Sequence, residues 1–210
     1  MGAVRELVVA SLLWNANARS FAFSRCYDET WVTKLFNGFE RNLSDSFRKV
    51  LFTERDRDLP DDIEQLIIPG LGTGGYGDCI RPYSLGEPMI LVGLDTIVTG
   101  NIDHLARYCF DADVIALPRD PYRLEQACNA VALVPAGNAH VFDRHRGEND
   151  MEWMRQQPHV FLDDLWPGHV QSFKGSIKTN GLGDTRIAYF HGLEKPHELP
   201  HVDWVREHWR

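Results

Sequence analysis

The chain has 210 residues, enough for one well-buried domain and few for two. Its 43% apolar and 25% charged content is that of an ordinary globular protein, and no apolar run approaches the ~20 residues of a membrane-spanning helix. A formal net charge of −8 argues against a duplex nucleic-acid binder, which needs a basic footprint, but leaves room for a small anionic ligand met by a local cation.

The first apolar run, Leu7-Val8-Val9-Ala10-Ser11-Leu12-Leu13-Trp14, follows Arg5 and precedes Ala16-Asn17-Ala18, the outline of a signal core and its cleavage site. Glu6 at the edge of the run and its shortness favour a buried first strand. Residues 29–47 put Val32, Leu35, Phe36, Phe39, Leu43 and Phe47 on one face at spacings of three and four, with Asp28 as N-cap, which predicts a helix. Short apolar runs at 50–52 and 66–68 predict strands, and the acidic stretch 54–64 between them, with Pro60, reads as an exposed connection. Met89-Ile90-Leu91-Val92 predicts a further strand. Asn101 can cap a short helix presenting Ile102, Leu105, Ala106 and Cys109. Strands follow at 113–117 and 129–134, a helix at 139–155 and a last strand at 187–190.

This alternation predicts one α/β domain over residues 1–210 with a mostly parallel, mixed sheet. Ligands of such sheets bind beyond the carboxyl ends of the strands, so the residues after each apolar run are the ones to inspect. Cys26, Cys79, Cys109 and Cys128 lie far apart with no Cys-x-x-Cys spacing, which reads as free thiols in a reducing cytoplasm.

Gly70-Leu71-Gly72-Thr73-Gly74-Gly75 matches the Gly-x-Gly-x-x-Gly pattern of dinucleotide-binding turns. That turn works only where a helix begins at once and offers its N-terminus to a pyrophosphate. Pro69 before the glycines, and Gly77, Pro82, Gly86 and Pro88 after them, leave no room for one. A flexible glycine loop, placed over a ligand, is the preferred reading.

Two other segments carry chemistry. Asp95 stands at the end of the apolar strand 89–92, where a carboxylate is costly to desolvate unless capped, paired or bound to a cation. His191 stands at the end of the last strand, in Tyr189-Phe190-His191-Gly192-Leu193-Glu194-Lys195-Pro196. Taken alone, each fits a turn cap or a structural histidine. Together they resemble the A-type, nucleotide-sugar-dependent glycosyltransferases, in particular the glycogenin and lipopolysaccharide galactosyltransferase group. The Asp-x-Asp element of that group is matched by Asp95, Thr96, Gly100, Asn101, Ile102 and Asp103, and its late His-Gly-x-x-Lys-Pro element by His191, Gly192, Lys195 and Pro196. Gly93 stands where the group has its first aspartate.

The resemblance implies a Rossmann-like nucleotide-sugar transferase domain, a nucleotide-sugar donor (a UDP-sugar most often in the group), an acceptor that the sequence does not identify, and retention of anomeric configuration. It implies Asp95 and His191 as ligands of Mn²⁺ (or Mg²⁺), and Leu94, Thr96, Asn129, Gly192 and Lys195 as contacts of the donor and its phosphates. Asn149, Asp150 and Asp163 are the candidates beside the anomeric carbon, although Asp163 and Asp164 also read as turn residues. With one carboxylate in place of two, metal binding is expected to be weak until the donor arrives. His197, His201 and His208 read as scattered surface histidines. Two other functions fit: a non-catalytic nucleotide-sugar binder of the same fold, and an NAD-dependent oxidoreductase using the Gly70 loop.

Overall fold

Strand β1 (Leu7–Leu13) is an interior strand of the main sheet in the architecture, which a computed structural model describes for residues 6–210. Arg5, and with it the start of the 1–210 domain span, lies outside the described residues. The remaining strands are β2 (Phe47–Thr53), β3 (Ile63–Ile67), β4 (Met89–Val92), β5 (Thr96–Val98), β6 (Ile115–Leu117), β7 (Arg119–Asp120), β8 (Arg123–Ala127), β9 (Val131–Val134), β10 (His159–Phe161), β11 (Val170–Ser172) and β12 (Ile187–Tyr189). Seven of them form one sheet in the order β3-β2-β1-β4-β9-β6-β10. Within it only β9 runs against its neighbours, so the sheet is mixed and mostly parallel. A small sheet, β11-β12-β5, and the hairpin β7-β8 complete the set.

The apolar run of β1, interrupted only by Ser11, follows from burial on both faces. Alternate residues point to opposite sides. Leu7, Val9 and Leu13 pack with Val32, Leu35, Phe36 and Phe39 of the helix Glu29–Glu40. Val8 and Ala10 join Leu71, Ile80 and Tyr83 on the other side. The Ser11 hydroxyl donates to the Val92 carbonyl at 2.8 Å, tying β1 to β4 in the interior.

Asp28 caps its helix as expected, accepting from Thr30 N at 2.9 Å, but the helix stops at Glu40. Phe47 opens β2 instead and keeps its contact with Phe39 across the turn, ring centroids 6.3 Å apart. The expected helix at 139–155 divides into His140–Asp143 and Asp150–Arg155, because Gly147 and a new N-cap at Asn149 interrupt it. The 54–64 connection is not simply exposed: Arg57 is buried, with its guanidinium between Glu29 and Glu54.

The glycine segment, as expected, opens no α-helix; a 3₁₀ stretch, Tyr76–Leu85, follows it. It is pinned, in contrast to the flexible loop expected. Gly72 N donates to Asp78 at 2.7 Å, and Asn17 donates to the Gly72 carbonyl at 2.9 Å. A Cβ at Gly72 would lie 2.3 Å from the Trp14 ring, so only glycine lets the loop approach β1 this closely. No described helix is long and apolar enough to cross a membrane.

Candidate active site

The chain leaves β4 at Val92, turns through Gly93-Leu94-Asp95 and enters β5, with Thr96 N donating to the Gly93 carbonyl at 3.2 Å. β5 pairs antiparallel with β12, Thr96 opposite Tyr189. That register places Asp95, just before β5, beside Phe190 and His191, just after β12. Two segments about a hundred residues apart are thereby joined by one short ladder. Beyond the carboxyl ends of β1 and β4 lies a cavity of about 280 Å³. Leu13, Trp14 and Val92 form part of its apolar wall, and Tyr76, Ile80 and Tyr83 from the 3₁₀ stretch face them. Asp95, Asn129, Asp150, His191, Gly192 and Lys195 bring its polar groups.

Asp95 and Lys195 form a buried ion pair, their side chains 10% and 5% exposed. Tyr27 closes the group: its hydroxyl donates to Asp95 Oδ2 at 2.8 Å and accepts from Lys195 Nζ at 2.7 Å. Desolvating two charges costs several kcal/mol per ion unless pairing and further hydrogen bonds compensate it, and here the phenol supplies those bonds. Burial, and then the Asp95 charge, push the Tyr27 phenol well above its ordinary range, so it stays neutral. Asn129 donates to Asp150 Oδ2 at 2.7 Å. Burial raises the Asp150 carboxyl above its ordinary value, against the pull of that hydrogen bond. His191 Nε2 lies 2.8 Å from Ser172 Oγ, which also accepts from Gly175 N at 2.9 Å. Burial and the nearby Lys174 lower the His191 pKa, keeping the ring neutral near pH 7.

No protein-family model matches the chain, and no curated protein matches it in sequence. Solved structures do match in shape. An active-site mutant of LgtC aligns with a TM-score of 0.60 at 11% identity, over 95% of this chain and 93% of that one. The glycosyltransferase GlyE of Streptococcus pneumoniae TIGR4 aligns with a TM-score of 0.57 at 12% identity, over 96% of this chain and 61% of GlyE. WbbM, a bifunctional glycosyltransferase, aligns with a TM-score of 0.55 at 6% identity, the chain spanning half of its length. The fold is that of the A-type glycosyltransferases.

In this A-type frame the expected site residues divide. Leu94, Asp95, Asn129, Asp150, His191, Gly192 and Lys195 all line the one cavity. Thr96, Asn149 and Asp163 do not. Thr96 is buried in β5, and its hydroxyl has no hydrogen-bond partner among the described residues. Asn149 is an N-cap, its Oδ1 accepting from Met151 N at 3.1 Å and Glu152 N at 3.3 Å. Asp163 accepts from Arg119 N at 2.8 Å, away from the cavity. Tyr27 escaped the sequence reading because its partners are 68 and 168 positions away, and no local pattern marks it.

A divalent ion is the cofactor that the resemblance to the glycogenin group implies, and the side chains present offer it a poor donor set. Asp95 Oδ2 is engaged by an ammonium and a phenol, His191 Nε2 is engaged by Ser172, and position 93 supplies no carboxylate. Among the described residues no three His, Cys, Asp or Glu side chains gather as a metal site.

Proposed function

We propose that this protein is a glycosyltransferase that moves a sugar from a nucleotide diphosphate donor to an acceptor. The observation that carries this reading is a buried lysine beside a cavity at the carboxyl ends of β1 and β4 in an A-type fold. A diphosphate there would meet the ammonium of Lys195 and the neutral His191, while Asn129 and Asp150 lie at the same cavity to meet the sugar. Donor cleavage breaks the bond between the anomeric carbon and a phosphate oxygen, and the electron pair leaves on the diphosphate. Lysine placed where that charge grows lowers the barrier. The acceptor oxygen forms the new bond to the anomeric carbon, and its proton departs with the diphosphate. Of the three residues expected beside the anomeric carbon, Asp150 alone lines the cavity, and it is the one we assign there. A UDP-sugar donor and retention follow from the resemblance to the glycogenin group; the metal of that group is the part that the donor set here does not support.

A panel of nucleotide sugars scored for release of free sugar tests the reading. We expect one donor to be hydrolysed, and the His191→Ala variant to lose at least about tenfold in that rate, the scale of a lost transition-state contact. Nucleoside diphosphate binding without turnover of any donor would make the protein a non-catalytic binder. Thermal stabilisation by NAD alone would replace the reading with the oxidoreductase.

A further inference from the structure

The cation of this site is already in the chain. We propose that Lys195, seconded by Lys174 beside Gly192 and His191, takes the place of a divalent metal, so that the protein binds the diphosphate of its donor without one; the proposal rests on the nucleotide-sugar reading above. Lys195 has three N–H donors. Asp95 and Tyr27 take two, and the third remains for a ligand in the cavity that Lys195 lines. A dication on Asp95 would have to displace that ammonium or sit against it, like charge on like charge.

Position 93 supports the same assignment. A Cβ at Gly93 would lie 2.9 Å from Asp95 Oδ1. A side chain there would require the Asp95 carboxylate, held by Lys195 through Oδ2, to turn, so the glycine suits the ion pair as it stands. Because Asp95 neutralises Lys195, a diphosphate needs further positive charge, and Lys174 is placed to give it. Its ammonium lies 3.9 Å from where a Cβ of Gly192 would stand, on the His191 side of the cavity, and its charge is felt at the His191 ring. Lys174 is exposed and makes no ion pair among the described residues, which leaves it free to turn toward a bound phosphate.

Calorimetric titration of uridine and guanosine diphosphates into the full chain, in EDTA and again with Mn²⁺, decides it. We expect the Kd of the nucleotide that binds to differ by less than about twofold between the two conditions; a gain of about tenfold or more with Mn²⁺ overturns the proposal and leaves the transferase reading standing. Mn²⁺ alone, followed by its electron paramagnetic resonance signal, should show no protein-bound fraction, and a bound signal counts against the proposal. Lys174→Met, an exposed change that spares the fold, should weaken the nucleotide about tenfold in EDTA, and an unchanged Kd overturns its role. Lys195→Met should abolish binding; should it fail to fold, the wild-type comparison and Lys174→Met still decide. Absence of nucleotide binding in either condition overturns this proposal and the transferase reading together.

Discussion

Among the described residues, buried charge gathers around Arg57 and around the Lys195–Asp95 pair, and the two clusters are built alike but used differently. Arg57 has a side chain 2% exposed. Its guanidinium donates to Thr53 Oγ1 at 2.7 Å, Glu29 Oε1 at 2.9 Å and Glu54 Oε2 at 2.9 Å, and every partner belongs to the scaffold around β1 and β2. Lys195 is equally buried, yet it meets one carboxylate and one phenol and lines a cavity. A guanidinium with two carboxylates has no call for a ligand. An ammonium with a donor to spare, at the carboxyl ends of two strands, is open to an anion. Burial of charge alone therefore does not identify a site; the balance of donors against partners does.

The largest expected effect separates the two groups. Arg57→Met removes the buried cation between Glu29 and Glu54 and leaves them only the more exposed Arg55; removing one partner of a buried pair costs up to about 3–5 kcal/mol. Lys195→Met should cost a comparable amount by stranding Asp95. Urea unfolding of both variants, paired with nucleoside diphosphate titration, should show similar losses of stability, with ligand binding lost only in the second. Loss of binding in Arg57→Met as well would mean that the two groups are not functionally distinct.

The sequence discloses some of these features and conceals others. The run of β1 is legible because a strand buried on both faces is apolar at nearly every position, and Asp95 and His191 are legible because polar residues at strand ends are conspicuous. Arg57 is not, since an acidic, proline-bearing stretch looks exposed whether or not its arginine folds inward onto Glu29 and Glu54. Nor is Tyr27, whose place beside Asp95 depends on how the segment before the helix Glu29–Glu40 lies against the start of β5. The division of residues 139–155 was legible: no apolar residue stands between Phe142 and Met151, and Gly147 and Asn149 in that polar gap are a helix breaker and an N-cap.

The two groups should also fail at opposite ends of the pH scale. Burial pushes the Glu54 carboxyl upward, but the Arg57 hydrogen bond and backbone donors outweigh it and hold the carboxyl below its ordinary value. A carboxyl depressed in the fold contributes stability that is complete above the unfolded value, about 4.3, and is lost as pH falls through the folded one. Tyr27 behaves in the reverse sense. Its phenol is raised in the fold, so its contribution is complete below about 10, the unfolded value, and is lost as pH rises beyond it. Chemical unfolding across pH should therefore lose its acid slope in part in Glu54→Gln and its alkaline slope in part in Tyr27→Phe. An unchanged alkaline slope in Tyr27→Phe would show that the phenol is not held against Asp95 as described.

The smallest effect concerns Asn149, where cap and catalyst are hard to tell apart by residue type because both need a short side chain with a polar oxygen. Its Oδ1 is committed to two backbone N–H groups at the start of the helix Asp150–Arg155, and its side chain does not line the cavity. Replacing an N-cap by alanine costs about 1 kcal/mol. Asn149→Ala should thus unfold at slightly lower urea while its rate of donor hydrolysis stays within about twofold, a barrier change under half a kcal/mol. Because the cap also sets the first turn that carries Asp150 into the cavity, a tenfold drop in rate with unchanged substrate KM would reassign Asn149 as the residue that positions Asp150. A rise in KM alone would place it in contact with the donor, and the capping role would then be secondary.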